Sequence, residues 1–295
     1  MICKICGNED VNVIYDDFIR DGAPGTLTKI KYKMYQCQNC KTIWHDNLDG
    51  SNEDYYTSKE YRNKLEGTAN ILDYYKMHDY EVLDKFKYCG TTVFRNKVVA
   101  DIGCGGGGFL DFLSGVASDI VAIEPSQEYR NSLSQRQYHT YDFAENAKKD
   151  WLSKVDVVTS FDVIEHVDDP IAFMKDVYDL LKDGGIGVIG TPTDCPVMRA
   201  LLGKDYEQGL LYSFQHIWIL SDDGFLRCCR KAGFDNVQIQ AVQRYGISNM
   251  ISWVKEKKPM GHIRYDFVTD ALDASYRHEL EQTGQSDYIV AYVRK

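Results

Sequence analysis

A run of glycines near the middle of the chain, Gly103 to Gly108 with one cysteine at Cys104, constrains the fold more than any other feature. It follows an apolar strand-like segment, 98–102, and precedes a segment typical of a helix that begins at Phe109. In a strand, glycine-rich turn and helix of this kind, the backbone approaches a ligand closely at the carboxyl end of the strand. The sequence therefore predicts a ligand-binding turn in an α/β domain.

Strand-like and helical segments alternate after this turn. The further strand-like segments are 120–123, 138–141, 155–161, 186–189, 237–239 and 287–293. Asp169-Pro170 is typical of a helix start, Gly184-Gly185 of the end of that helix, and Ser221 of the cap of a later one. This alternation predicts a doubly wound, mostly parallel sheet with helices on both faces.

Composition and charge exclude several classes of protein. With 44% hydrophobic residues, the 295-residue chain can build a core, which excludes disorder as its main state. No apolar run approaches the ~20 residues of a membrane span. The first residues do not resemble a secretory signal, and nine cysteines then indicate a reducing compartment, so we expect a cytoplasmic protein. The net charge of −10 disfavours general nucleic-acid binding.

Four of the nine cysteines lie in two C-x-x-C pairs, formed by Cys3, Cys6, Cys37 and Cys40. Each pair aims two thiolates at one point, and two pairs supply the four ligands of a tetrahedral zinc. Gly7 follows the first pair, where a tight turn favours glycine. Strand-like runs at 11–15 and 29–35 indicate a β-hairpin between the pairs, and in the second run Ile30, Tyr32 and Met34 share one face. The pattern predicts a structural zinc ribbon; four unrelated thiols or a redox pair are the alternatives.

Acidic residues beside the glycines distinguish two classes of ligand. Glu124 ends the next strand, with Ser126 placed to cap the following helix, and lies about 20 residues after Gly103, where an acid can accept ribose hydroxyls. The glycines also match the dinucleotide fingerprint, so they alone do not separate a dinucleotide from S-adenosylmethionine (SAM). Asp101 would repel a pyrophosphate, whereas it suits the ammonium and sulfonium groups of SAM.

Four segments resemble motifs of class I SAM-dependent methyltransferases: Val99–Gly107, Ile123–Ser126, Ser160–Val167 and Leu180–Gly185. The resemblance covers about residues 90–295. It implies a seven-stranded, Rossmann-like sheet whose last strand, Ser286 to Arg294, is antiparallel, and it implies SAM as the methyl donor. It also implies a set of SAM contacts: Asp101, Gly103, Cys104, Gly105, Glu124, Pro125 and Phe161. Asp142-Phe143 is the candidate for the adenine edge, with core packing as the alternative role of Phe143.

The cysteine-rich head narrows the resemblance. A ribbon and then a tyrosine-rich segment (Tyr55, Tyr56, Tyr61) before the glycine motif are similar to methyltransferases of surface-polysaccharide and natural-product gene clusters. Some of those relatives are sugar C-methyltransferases with a further C-terminal domain, so their exact substrate does not transfer. We expect a zinc ribbon at 1–48, a tyrosine-rich helical linker or lid at 49–90 and the methyltransferase domain at 91–295.

Two histidines are candidates for the base that a hydroxyl acceptor requires, because histidine exchanges protons near neutral pH. His166 follows the fourth strand of the domain, and its alternative role is to fix the loop beside Glu165. His216 lies in the segment that covers the acceptor in relatives, together with Tyr212 as a candidate pocket residue. We predict that one of the two histidines deprotonates the acceptor.

The favoured function is methyl transfer to a small-molecule acceptor, a hydroxyl of a sugar or of a nucleotide-linked sugar. Two alternatives are an RNA base methyltransferase, which the lysines at 29, 31, 33 and 41 support, and a non-catalytic SAM-fold binding module. An oxidoreductase is the last alternative and depends only on the glycine match. We expect neither a membrane nor a nucleic acid as a partner, and a homo-oligomer stays open.

Overall fold

A computed structural model describes residues 1–22, 24–46 and 71–295, so the tyrosine-rich segment of Tyr55, Tyr56 and Tyr61 lies outside the described residues. The chain divides into two compact units, each assembled from separate stretches of sequence. The first unit comprises 1–48, 191–227 and 239–290, and the second comprises 49–190, 228–238 and 291–295. The predicted domain boundaries at residues 48 and 90 stay predictions.

Eleven strands lie in the described part of the chain. They are β1 Val11–Asp17, β2 Tyr32–Cys37, β3 Ile43–His45, β4 Val98–Ile102, β5 Asp119–Ile123, β6 His139–Tyr141, β7 Val155–Phe161, β8 Leu181–Pro192, β9 Trp218–Ile219, β10 Asn236–Val242 and β11 Tyr288–Arg294. They form one sheet of four strands and one of seven.

The four-stranded sheet has the order β1-β2-β3-β9, and all its pairs are antiparallel. Strand β2 shows the alternation that the sequence predicts, because Tyr32 and Met34 are buried while Lys31 and Lys33 are exposed. Ile30 departs from the prediction: it precedes the strand and remains 47% exposed. The predicted hairpin is therefore confirmed, but its second strand begins three residues later than the apolar pattern.

The seven-stranded sheet has the order β10-β11-β8-β7-β4-β5-β6. Strands β4 to β8 pair in parallel wherever they are neighbours. The last strand runs in the opposite direction, because the Gly184 amide donates to the Lys295 carbonyl and the Lys295 amide donates to Gly185. The doubly wound α/β fold with an antiparallel last strand is therefore confirmed.

The helices of six or more residues in the described ranges are α1 Ile71–His78, α2 Val82–Cys89, α3 Gly108–Leu113, α4 Gln127–Gln135, α5 Ala144–Trp151, α6 Pro170–Leu180, α7 Pro196–Leu202, α8 Asp222–Lys231, α9 Ile247–Glu256 and α10 Asp270–Gln282. Across the described ranges, none of the helices has the length and apolar character that crossing a bilayer requires.

The ends of helix α6 show one correct and one wrong prediction. The Asp169 carboxylate accepts the amides of Ile171 and Ala172, which confirms the predicted cap. The helix ends at Leu180 rather than at the glycine pair, and residues 184 and 185 lie inside β8. Their amide and carbonyl pair with Lys295, so strand pairing across the sheet overrides the local tendency of glycine to follow a helix.

Candidate functional site

The turn after β4 excludes side chains at its first position. The last four residues of β4 are buried, and Gly103 follows them with φ of 74°. A Cβ at Gly103 would lie 2.3 Å from Cγ2 of Val163, so both the conformation and the space require glycine. The Gly103 amide donates to the Ile123 carbonyl at 2.8 Å, which fixes the turn beside the end of β5.

Glu124 follows β5 and holds the turn from the other side. Its Oε2 accepts the Gly105 amide and its Oε1 accepts the Ser126 amide, each at 2.9 Å. A carboxylate oxygen can accept more than one hydrogen bond, so both oxygens can still accept ligand hydroxyls. The predicted cap by the Ser126 side chain is wrong: Ser126 directly precedes helix α4, but its hydroxyl makes no capping bond, while its amide donates to Glu124.

Asp101 gives the turn a second buried carboxyl group. Its side chain is only 2% exposed and accepts the Thr159 hydroxyl at 2.7 Å. Burial raises the pKa of Asp101 above its ordinary value; the charge of Lys85 and the Thr159 bond oppose this shift, while the charge of Glu124 adds to it. A ligand with cationic groups would stabilise this carboxylate, so the residues present fit SAM.

The second unit also covers the glycine turn with helix α1. A Cβ at Gly105 would lie 2.4 Å from the Tyr74 hydroxyl oxygen, and one at Gly106 would lie 2.5 Å from Cδ1 of Tyr74. The Tyr75 hydroxyl donates to the Gly106 carbonyl at 3.3 Å. The sequence predicts a helical linker or lid here but no role for Tyr74. The paired glycines, which leave room for a ring, were the available signal.

The candidate adenine edge lies next to Glu124. The Glu124 amide donates to the Tyr141 carbonyl at 2.9 Å, so Asp142 follows β6 at the same edge of the sheet. The Asp142 Oδ1 accepts the Phe143 amide at 2.8 Å and the Asn146 amide group at 2.7 Å. Burial alone would raise the pKa of Asp142, but these hydrogen bonds outweigh burial and lower the pKa, so the group is a carboxylate at neutral pH. Phe143 is half-buried and precedes helix α5.

Three further predicted contacts lie around the same turn. Phe161 ends β7 and is 7% exposed, with its ring centroid 5.6 Å from the Lys85 ammonium. Cys104 is buried, and burial raises the pKa of its thiol, which fits a structural rather than a reactive role. The Pro125 carbonyl accepts the Arg130 guanidinium at 2.5 Å. The second unit therefore brings the predicted SAM contacts to one edge of the sheet; their roles stay predictions.

His166 lies in the loop after β7, in the second unit. Its amide donates to the Val163 carbonyl at 2.9 Å, and its Nε2 lies 3.7 Å from the buried Glu165 carboxylate. The side chain of His166 is 15% exposed. This position at the carboxyl end of a parallel strand is where ligands bind in such sheets.

Tyr212 and His216 lie in the first unit. Tyr212 is fully buried, its ring centroid is 4.8 Å from that of Tyr15, and its hydroxyl accepts Arg199 at 3.1 Å. Burial raises the pKa of Tyr212 to about 12, so the hydroxyl is neutral at pH 7. His216 is half-buried, and its amide donates to the Ser213 carbonyl at 3.1 Å. The catalytic roles of both residues stay predictions.

The four paired cysteines converge in the first unit. All four sulfurs lie within 4.8 Å of one another. Sγ of Cys3 is 3.7 Å from that of Cys40, and Sγ of Cys6 is 3.4 Å from that of Cys37. A tetrahedral zinc with four thiolates separates their sulfurs by about 3.8 Å. These distances fit zinc, and they exceed the ~2.0 Å of a disulfide bond.

The two turns that carry these cysteines have the same backbone geometry. Gly7 and Lys41 each follow the second cysteine of a pair, with φ of 79° and 58°. The Gly7 amide donates to the Cys3 carbonyl at 2.8 Å, and the Lys41 amide donates to the Cys37 carbonyl at 2.9 Å. Lysine rarely adopts this left-handed conformation, so the second turn is held by its surroundings.

Comparisons with known proteins add to this geometry. Residues 74–239 match the family model described as a methyltransferase domain. Ubiquinone biosynthesis O-methyltransferases of Cereibacter sphaeroides and Ruegeria pomeroyi are each 28% identical to the chain, over 54% of it and 67% of their own lengths. A SAM dependent methyltransferase structure from Archaeoglobus fulgidus aligns with a TM-score of 0.51 and 14% identity, covering 80% of this chain and 98% of that one. This structural likeness shows the fold alone.

Proposed function

Since the chain belongs to the methyltransferase domain family and is a SAM-dependent methyltransferase, we propose that it methylates a hydroxyl of a small molecule, a sugar or sugar-linked metabolite. One observation supports the donor site of this proposal: two buried carboxyl groups, Asp101 and Glu124, flank a glycine turn that excludes side chains. The relatives' name, ubiquinone biosynthesis O-methyltransferase, supports transfer to oxygen. Their name gives no support to a polysaccharide pathway, so the sugar acceptor depends on the resemblance of the cysteine-rich head alone.

The chain's own residues would bind and orient the donor. SAM supplies a methyl group that is already activated, so alignment is the main task of the protein. Glu124 would accept ribose hydroxyls while its two amide bonds keep it in place. Asp101 would neutralise a cationic group of the donor, and Asp142 with Phe143 would border the adenine.

The acceptor hydroxyl also needs a base, for which His166 and His216 are the candidates. His166 is supported by its position after β7 and by the buried Glu165 carboxylate, which lies 3.7 Å from its Nε2. His216 is supported by its partial exposure in the segment that follows Tyr212. We expect the alanine variant of the true base to lose turnover while it keeps its affinity for S-adenosylhomocysteine. Full turnover of both single variants would contradict a histidine base.

The four cysteines would hold a structural zinc. The support is geometric: two equivalent turns bring four sulfurs to the spacing of a tetrahedral site. Zinc bound there would join the turn before β1 to the turn between β2 and β3, since Cys6 precedes β1, Cys37 ends β2 and Cys40 precedes β3. Its proposed role is therefore to stabilise the four-stranded sheet.

The RNA methyltransferase alternative is weaker. The net charge is −10, and Lys31, one of the four lysines that support this alternative, already pairs with Asp17 at 3.4 Å. A small-molecule acceptor is the proposed partner; a homo-oligomer stays open.

Calorimetric titration with S-adenosylhomocysteine tests the donor site, with NADH as the control ligand. We expect binding of the first at micromolar concentration and none of the second. Methyl transfer to a set of sugars, nucleotide-linked sugars and phenols then tests the acceptor class. Turnover of phenols alone would contradict the sugar acceptor, and binding of NADH would contradict the assigned roles of Asp101 and Glu124.

A further inference from the structure

The first unit contains a cavity of about 330 Å³ beside the four-cysteine cluster, since Cys40 is part of its lining. Every residue that lines it belongs to this unit. Small-molecule sites occupy roughly 300 to 1,000 Å³ and combine apolar walls with a few polar groups. The wall of this cavity includes four buried aliphatic side chains, Ile43, Ile219, Leu220 and Ile289. Its size and lining therefore fit a small ligand, and none of the roles proposed above uses it.

Two hydroxyl groups in the lining have committed their hydrogens to the backbone. The Thr193 hydroxyl donates to the Leu220 carbonyl at 2.7 Å, and the Ser221 hydroxyl donates to the Cys40 carbonyl. The Ser221 oxygen also accepts the Gly224 amide at 3.0 Å. A hydroxyl has one hydrogen and two lone pairs, so each of these oxygens can accept one more bond. The two hydroxyls therefore favour a ligand group that donates hydrogen bonds.

Three aspartates line the same cavity, and two of them already have counter-charges. Asp194 pairs with Arg199 at 3.0 Å, and Asp223 pairs with Arg227 at 2.8 Å. The Asp222 carboxylate has neither an ion pair nor a hydrogen bond with any residue that the structure describes. Although Asp222 is exposed, the protein atoms around it raise its pKa. An accessible carboxylate of this kind is better balanced by a cationic ligand than by water alone.

Lys41 adds the opposite charge to the lining. Its ammonium group pairs with no carboxylate in the described ranges, Asp222 included. Its backbone has φ of 58°, in the left-handed region, whereas the equivalent position of the first cysteine turn is occupied by Gly7. A lysine in this conformation costs backbone energy that glycine would avoid. The cost indicates that the side chain of Lys41 has a role at the cavity.

We propose that the cavity binds a small zwitterion of the α-amino-acid type, whose ammonium group contacts Asp222 and whose carboxylate contacts Lys41. The Thr193 and Ser221 oxygens would accept the remaining ammonium hydrogens, and the aliphatic wall would bury an apolar side chain. A ligand with both charges satisfies both groups at once, whereas a simple cation or anion leaves one of them unpaired. This site does not depend on the methyl transfer proposed above.

Calorimetry on the full chain tests the charges of the ligand with L-leucine and two analogues. Isoamylamine lacks the carboxylate of leucine, and isocaproate lacks its ammonium group. We expect leucine to bind and each analogue to bind about tenfold more weakly or less, because each loses one charge-assisted contact. Equal affinity of leucine and either analogue, or no binding of leucine, would overturn the proposal.

Variants of the two charged residues test the protein side of these contacts. Asp222→Asn and Lys41→Gly should each weaken leucine binding about tenfold or more. Lys41→Gly should keep or raise the melting temperature of the free protein, because glycine adopts the left-handed conformation without strain. Asp10→Asn and Lys33→Met change exposed residues of the same unit outside the cavity and should leave leucine affinity unchanged. Wild-type leucine affinity in Asp222→Asn or Lys41→Gly would contradict the assigned contacts.

Saturating S-adenosylhomocysteine separates the cavity from the donor turn. Leucine affinity should be the same with and without it, because the two sites share no residue. Loss of leucine binding in its presence would place leucine at the donor turn and overturn the proposal. If S-adenosylhomocysteine itself does not bind, the proposed function fails, and the leucine titrations still decide on the cavity.

Discussion

The glycine turn of the second unit and the four-cysteine cluster of the first differ in how their charged groups are held. At the turn, the oxygens of Glu124 each accept an amide and the Asp101 carboxylate accepts the Thr159 hydroxyl. In the cluster, all four sulfurs lie within 4.8 Å of one another and two pairs lie 3.4 and 3.7 Å apart, so four thiolates there would repel without a cation. The turn is therefore organised by the protein before any ligand binds, whereas we propose that the cluster is stable only with its ligand.

The largest effect that this difference predicts comes from the cluster. Cys3→Ser should remove zinc and lower the free energy of unfolding by about 4 kcal/mol or more, because a structural metal contributes folding energy directly. Denaturant unfolding together with zinc analysis of the purified protein measures both. Cys229→Ser, an equally buried thiol outside the cluster, is the control and should keep the metal. A Cys3→Ser protein of wild-type stability would show that the four sulfurs do not depend on a metal.

At the turn, Asp101→Asn should affect the ligand and not the fold. The amide keeps an oxygen for the Thr159 hydroxyl but loses the negative charge, so affinity for S-adenosylhomocysteine should fall roughly 100-fold. The free protein should become more stable at neutral pH, because a buried carboxylate is replaced by a neutral group. Calorimetry and thermal unfolding of the same sample measure the two effects. If Asp101→Asn lost stability as well as affinity for S-adenosylhomocysteine, the result would contradict a role of the Asp101 charge in ligand binding alone.

Packing above the turn gives an intermediate effect. In Gly106→Ala the new methyl group would lie 2.5 Å from the Tyr74 ring and 2.6 Å from the Ile71 side chain, which should destabilise the protein by about 2 kcal/mol. Gly115→Ala is the control, because its Cβ would meet no atom within 4 Å. Chemical unfolding of both variants measures the difference. Equal stabilities would show that helix α1 does not rest on the glycine turn.

The smallest effect is a difference in pH dependence between the buried Asp101 and the half-buried Asp156. The pKa of Asp101 is raised, so the stability associated with its neutral form is present at low pH and is lost as the pH rises through the raised value. The stability of Asp101→Asn relative to the wild type should therefore increase as the pH rises. Burial would raise the pKa of Asp156, but the hydrogen bond from Lys182 outweighs it and lowers this pKa. The stability that Asp156 contributes is therefore present above its ordinary pKa and is lost as the pH falls.

Asp156→Asn is the matched variant for this measurement. It should be less stable than the wild type at neutral pH, and the gap should close in strong acid. Melting temperatures of the three proteins between pH 3 and pH 8 give both trends. If the melting temperatures of the two variants changed with pH in the same way, the result would contradict the opposite pKa shifts of Asp101 and Asp156.

Short-range patterns were predictable because their causes are local. The strand and glycine turn at 98–108, the alternation in β2 and the cap at Asp169 depend on residues a few positions apart. The same reasoning was wrong at Gly184-Gly185 and at the Ser126 hydroxyl. At the glycine pair, a partner distant in sequence, Lys295, pairs with the backbone groups instead. At Ser126 the hydroxyl makes no capping bond, and the amide donates to the neighbouring Glu124 carboxylate.

The sequence by itself determined the family, the order of strands and helices around the glycine turn, and the pairing of four cysteines at metal-ligand spacing. Tertiary structure alone decided that Tyr74 covers the glycines, that Tyr212 is buried against Tyr15 and Arg199, and that Arg20 is buried beside Tyr212 and Phe214 with no ion-pair partner among the described residues. The physical reason is that these features depend on burial and on contacts between residues far apart in the chain. Neither propensity nor spacing encodes those contacts, whereas the geometry of a turn is set by the residues within it.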